Sequence, residues 1–327
     1  MILDVARHKF HESLITLIII AIIAVVRGAM LTADVPAAET PFATAPLQPA
    51  IDSFAASHTI IAALLSLVLI MHSSLRLARA TVRDSLYASR TMAAISLTAI
   101  ILAGFAICSH SLQTLIVASL LAEMLARTFH YMTHSSRLHY LFTAMLALGA
   151  LPLVDSSLLA MLIVLPILLI FIRAQLRDIL VGITGAALPI FTYCYIMWCC
   201  GESFTSTATA LWDNMFIQSS FELGDYLSLS RLVLGGVVLF VQLCALLLHR
   251  KEAMSLTLAT RNIWNMLYLV LLVLIAAFVL LPSTSAASIV TVLMISATAL
   301  PLFFLRMDTV VAVITYIVLV IFSIVAI

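Results

Sequence analysis

Apolar runs of about 16 to 22 residues follow one another along nearly the whole chain, separated by short polar gaps. A run of that length is what a helix needs to cross roughly 30 Å of hydrocarbon. Alternating ten-residue strands of the outer-membrane barrel kind are absent, and a helix satisfies its own backbone polar groups. The pattern therefore predicts an all-α, polytopic transmembrane bundle that forms a single integral membrane domain over 1–327. About eleven spans are expected, at about 13–31, 58–74, 91–108, 112–126, 140–154, 157–173, 179–200, 231–249, 263–281, 286–305 and 308–327. A basic leader with Arg7 and Lys9 precedes the first run and reads as an uncleaved signal anchor.

The gaps alternate in character. One set holds two long segments, 32–57 and 201–230, and the tight turns Ser109-His110-Ser111 and Asp155-Ser156-Ser157. The other set holds the basic segments 75–90, 127–139 and 250–262. With the leader (Arg7, Lys9), Arg173, Arg177 and Arg306, which fall in the same alternate gaps, this second set holds fourteen of the sixteen Lys and Arg residues, leaving only Arg27 and Arg231 for the first. The positive-inside bias then predicts a cytoplasmic N-terminus and an outer C-terminus in a bacterial inner membrane. Net charge, +1, hides this division. The basic inner face is expected to contact anionic lipid, not nucleic acid. With 64% hydrophobic and 9% charged residues and a mean hydropathy of +1.21, a water-soluble fold is excluded.

Five cysteines (Cys108, Cys194, Cys199, Cys200, Cys244) lie in or at the ends of spans without CxxC spacing, and read as packing residues. Gly182, Gly185 and the Gly235-Gly236 pair are expected where helices approach closely, and Pro152, Pro166, Pro189 and Pro301 where helices kink.

Candidate chemistry concentrates at the span ends. In 201–230, Phe204, Ala208, Leu211, Trp212, Met215 and Phe216 recur at three- and four-residue spacing, which predicts an amphipathic helix at the outer membrane surface over a lipid-facing groove, with Trp212 and Phe216 as lipid or substrate contacts. Asp34 and Glu39 follow the first span and Asp52 precedes the second. A carboxylate there suits a general base, or a ligand for a divalent cation bridging a lipid diphosphate. Arg76, Arg79 and Arg83 share one helical face and suit a phosphate, although topology determination explains them equally well. Glu123 is the one carboxylate inside a span, and Arg127, one turn later, suits an intramembrane ion pair. If that helix continues, His130 and His134 join the stripe. No further ligand at metal-binding spacing accompanies them in the sequence, so no metal site is expected.

The stretch Leu112–Phe191, with its "LQTLIVASLLAEMLARTF" and "LHYLFTAMLALGALPLVDSSLLAMLIVLPILLIFIRAQLRDILVGITGAALPIF", resembles an uncharacterised family of Bacteroidetes inner-membrane proteins. In architecture the chain is also similar, more remotely, to membrane glycosyltransferases that use polyprenyl-phosphate sugars. That resemblance implies catalysis by Asp34 or Glu39 at the outer face, a polyprenyl-phosphate-linked substrate and a divalent cation. The chain departs from it in lacking a paired acidic motif in the first outer loop and an outer soluble domain. Three functions stay open: lipid-linked glycosyl transfer, a non-catalytic assembly or scaffold subunit bound to other membrane proteins, and transport of a small solute or lipid.

Overall fold

A computed structural model describes residues 10–32, 45–87, 91–107, 110–134, 138–172, 174–217, 223–252 and 256–326. The fold is all-helical, with no strand among the described residues. The elements in chain order are α1 (Phe10–Thr32), α2 (Gln48–Ser57), α3 (Thr59–Arg83), α4 (Ala93–Ala106), α5 (Ser111–Thr133) and α6 (Leu138–Val154). A 3-10 segment, Ser156–Ile163, then runs into α7 (Val164–Phe171). There follow α8 (Leu176–Cys199), α9 (Phe204–Asp213), α10 (Leu223–Tyr226), α11 (Leu229–Glu252), α12 (Leu258–Leu280), α13 (Ala286–Ala297), α14 (Leu300–Arg306) and α15 (Thr309–Ala326).

Seven of these segments are long and apolar enough to cross a membrane: α3, α5, α8, α11, α12, the joined α13–α14, and α15. The sequence pattern suggests about eleven spans, several of the middle ones near the lower length limit for a crossing. Three of the expected spans are instead short apolar helices, α4, α6 and the 3-10/α7 segment, and α1 is a further 23-residue apolar helix. At 1.5 Å per residue the fourteen residues of α4 reach only about 21 Å. That helix can be short because it is the bundle's axis. Every residue from Ala93 to Ala106 is buried, and α1, α3, α13 and α15 pack around it.

Outward-facing apolar side chains surround the bundle: Ile60, Ile61, Leu64 and Val68 on α3; Leu180, Ile183 and Phe191 on α8; Leu239, Phe240 and Leu247 on α11; Leu272, Ile275 and Val279 on α12; Val310, Ile314 and Ile321 on α15. Such a continuous apolar girdle is stable against lipid and not against water.

Local chemistry fixes the helix ends. Ser203, Thr257 and Ser285 cap α9, α12 and α13, each side chain accepting a hydrogen bond from the backbone three residues on. Gln175 and Asp178 form a capping box at α8. The α3 helix ends on a left-handed turn at Ser85 (φ 51°), where Leu86 N–H reaches Thr81 O at 3.0 Å. Pro301 lacks a backbone donor, and the helix breaks just before it at Thr298-Ala299. Close helix approach depends on Gly185 and on Gly149, which the sequence did not single out. A Cβ on Gly149 would sit 2.0 Å from Ala186 O, and one on Gly185 2.8 Å from Phe142 O. Gly182 meets only ordinary contacts and Gly236 nothing within 4 Å, so neither is such a site.

Contacts between helix ends sort the molecule into two poles. One pole gathers the end of α4, the starts of α5, α11 and α13, and the ends of α6 and α15. The other gathers the ends of α3 and α5 with the starts of α8 and α12. Arg76, Arg83, Arg127 and Arg261 are toward the second pole, on helices longer than the apolar pattern implied: α3 continues to Arg83 and α5 to Thr133. The segments 75–90 and 127–139 thus begin as final helical turns, not as loops, and 32–57 and 201–230 likewise contain α2, α9 and α10.

The two arginines on the sparsely basic pole serve carbonyl groups. Arg231 Nε donates to Gly104 O (3.2 Å), Nη2 to Ile107 O (2.7 Å) and Nη1 to Tyr226 O (3.0 Å). The Tyr226 hydroxyl donates to Phe105 O. Carbonyls at the last turn of the buried axis helix have no partner within the helix, and these side chains supply one. Arg27 Nη1 similarly lies 3.5 Å from Ile324 O in the last turn of α15.

Candidate functional site

At the sparsely basic pole an apolar groove of about 460 Å³ opens between the 3-10/α7 segment, α8 and α9. Its walls are Leu162 and Leu165, then Ile183, Ala187, Ile190 and Phe191, and Phe204 and Ala208 of α9. The short helix is held over the groove by Leu211, buried against Leu153 and Cys194. Sequence periodicity predicted this helix, which ends at Asp213 and gives way to turns. Trp212 and Phe216 stand outside the groove. They are 59% and 53% exposed, with ring centroids 5.8 Å apart, and face the surroundings as an aromatic pair suited to a membrane interface.

Polar groups gather nearby, around the end of α6. Leu47 N–H donates to Leu153 O (3.0 Å), tying the α2 segment there. Two residues on, Asp155 is buried and accepts from Ser157 N–H (3.0 Å), Ser157 Oγ (2.5 Å), Ser285 Oγ (2.8 Å) and Gln113 Nε2 (3.4 Å). Burial raises its pKa, and the hydroxyl hydrogen bonds oppose that rise. His110 Nδ1 lies 3.2 Å from Asp52 Oδ1, and this contact raises the imidazole pKa against the opposing effect of burial, with help from the charge of Asp155. Asp52 comes from the middle of α2, and His110 and Asp155 from the positions just before α5 and the 3-10 segment, far apart in sequence. Only Asp52 was a sequence candidate. Asp34 and Glu39, the carboxylates expected to act here, lie outside the described residues.

The opposite pole is built around charges on α3 and α5. Glu123 lies between two arginines: Arg127 Nε donates to its Oε1, as the four-residue spacing predicted, and Arg76 Nη2 donates to the same oxygen at 3.1 Å. Asp84, its side chain fully buried, accepts from Arg83 Nε (3.2 Å) and Nη2 (2.9 Å). Arg76 and Arg83 are therefore already engaged by carboxylates, while Arg79 is exposed on the same helix. The three do not present a row of uncommitted guanidinium groups to a phosphate. A second cavity, about 680 Å³, lies at this pole between α5, α8 and α12, with Tyr131, Gln175, Arg177, Asp178 and Asn262 among its polar walls.

Cys194 is buried, but Cys199 and Cys200 are exposed and so are not packing residues. Cys108 lies outside the described residues. Structure and composition together define a polytopic helical membrane protein with an apolar groove at one pole and paired charges at the other. No family model, curated protein or solved structure matches the chain.

Proposed function

We propose that the protein handles a lipid-linked substrate at the outer face of a bacterial inner membrane, as a glycosyl transferase of the polyprenyl-phosphate-dependent kind. The apolar groove beneath α9 is the observation that carries this reading. Its volume is in the range of small-molecule sites, its walls are almost wholly apolar, and it adjoins a polar cluster. A prenyl chain would lie in the groove, and the phosphate and sugar would project toward the polar pole. Asp34 or Glu39 would take the proton of the acceptor hydroxyl as its oxygen bonds to the sugar carbon. The polyprenyl phosphate would leave, its charge balanced by a divalent cation.

In the same reading the groove pole faces outward and the arginine-rich pole faces the cytoplasm. The N-terminus is then cytoplasmic, the C-terminus outside, and α1 and the short helices complete about eleven passes. Membrane lipid is the constant partner, and the arginine-rich pole contacts anionic headgroups.

Mass spectrometry of lipids co-purifying with the wild type and with Ala208→Trp, which fills the groove, tests the proposal. A polyprenyl-phosphate species retained by the wild type and lost from the variant supports it. Equal lipid profiles in two equally well folded proteins overturn it.

A further inference from the structure

We propose that Asp84, His130 and His134 form a binding site for a divalent transition-metal ion of the zinc class, at the opposite pole from the groove and independent of the lipid-handling reading. His130 and His134 are one helical turn apart at the end of α5, so their rings lie on one face, with centroids 4.6 Å apart. The third group arrives from another helix: Asp84 caps the end of α3 and places Oδ1 3.1 Å from His130 Nδ1. One ligand atom from each of the three residues lies within 4.8 Å of the others. A tetrahedral ion with bonds of about 2.0–2.2 Å needs its ligand atoms about 3.3–3.6 Å apart, so modest side-chain rotation closes the site.

Three features of the surroundings fit a cation. Arg83 holds the Asp84 carboxylate through both oxygens, Nη2 on Oδ2 and Nε on Oδ1, and Thr133 Oγ1 donates to Oδ1 at 3.3 Å, so the oxygen beside the imidazoles already sits in a hydrogen-bonded shell of the kind common around metal-bound carboxylates. Tyr140 packs edge-on against His130, centroids 4.3 Å apart, and sets the ring's orientation. The site also lies at the C-terminal end of α5, where the last carbonyls favour positive charge. His134 is exposed, which gives an ion a route from the aqueous phase, whereas Asp84 and His130 are buried. Two nitrogens and one oxygen suit zinc or cobalt, with a fourth position open to water. Against binding stand the arginines: Arg83 shares Asp84, and Arg76 and Arg127 together outweigh Glu123. Moderate affinity is therefore expected, below that of a closed structural zinc site.

The test is a Co2+ titration of the full-length protein, purified in detergent with any polyhistidine tag removed, read by visible absorption and repeated as Zn2+ competition. His134→Ala is the main variant because the side chain is exposed and its removal leaves the fold intact, as thermal unfolding of the metal-free proteins would verify. The site predicts one equivalent of Co2+ with tetrahedral-type absorption, displacement by Zn2+, and at least tenfold weaker binding in His134→Ala. His130→Gln, which keeps a polar group beside Asp84, is expected to weaken binding by at least as much. A wild-type protein with no cobalt absorption overturns the assignment, as does a His134→Ala protein with unchanged affinity.

Discussion

Replacing Arg231 with Ala removes three hydrogen bonds of the guanidinium, two joining the start of α11 to the end of α4 and one to α10. Two of the acceptors, Gly104 O and Ile107 O, belong to the end of the buried axis helix. Orphaning a buried acceptor costs about 1–3 kcal/mol. The Arg231 guanidinium also lies 4.6 Å from the Tyr226 ring centroid, a contact worth roughly 0.5–1 kcal/mol at a partly exposed site. Because Arg231 is half-buried and water can reach part of the gap, about 2–4 kcal/mol is expected in all. At 1.4 kcal/mol per decade that is roughly a 30- to 1,000-fold shift toward the unfolded protein. Reversible unfolding in mixed micelles, or steric trapping in bicelles, measures it directly. Arg231→Lys keeps the charge but not the fork, and should recover less than half of the loss. Arg250→Ala, at an exposed position in the last turn of α11, should change stability by less than about 0.5 kcal/mol. If Arg231→Ala is as neutral as Arg250→Ala, the arginine does not complete α4 and its placement needs another cause.

Gly149→Ala should destabilise by about 2–3 kcal/mol in the same assay, because the new methyl meets the Ala186 carbonyl of the neighbouring backbone, whereas Gly236→Ala, which meets nothing, should be neutral. Glu123→Gln leaves Arg76 and Arg127 without their carboxylate at the edge of the apolar layer. A loss of about 1–3 kcal/mol is expected, measured by unfolding, and a stable Glu123→Gln would mean that the arginines reach water unaided. The His110–Asp52 contact raises the folded imidazole pKa, so its stabilisation is fully present below the unfolded value of about 6.5 and is lost as pH rises through the higher folded value. An NMR titration of His110 should show its pKa falling in Asp52→Asn, and an unmoved midpoint would remove Asp52 as the cause.

Helical class and membrane character were legible because apolar run length reports directly on the solvent a helix can face. The division of basic residues between the two poles was legible too, except that Arg27 and Arg231 had no sequence explanation: their carbonyl partners lie 297 and between 5 and 127 residues away in the chain. Run length alone did not separate α4, α6 and the 3-10/α7 segment, which are shorter than the seven long apolar helices, since a helix enclosed by other helices need not match the bilayer's thickness. The Glu123–Arg127 pair followed from spacing alone, but Arg76, the second arginine on Glu123, required the packing of α3 against α5. The same packing brings Asp84 to His130 and His134, which is why the sequence offered two imidazoles and no third ligand. The periodicity of 204–216 identified a surface helix correctly and misassigned its faces. Phe204 and Ala208 reach the groove, whereas Trp212 and Phe216 turn away, because Leu211 anchors the helix against Leu153 and Cys194. Asp155, read only as part of a tight turn, is a buried carboxylate at the sparsely basic pole, since its partners Gln113 and Ser285 come from other helices.

A cryo-EM map of the full-length protein in native-lipid nanodiscs tests the central proposal most directly. Lipid handling at the outer pole predicts continuous density for a long chain along Ile183, Ala187 and Phe191 beneath α9, with its head group directed toward the polar cluster at Asp52, His110 and Asp155. A map in which α9 closes onto α8 and the groove holds no lipid would contradict it.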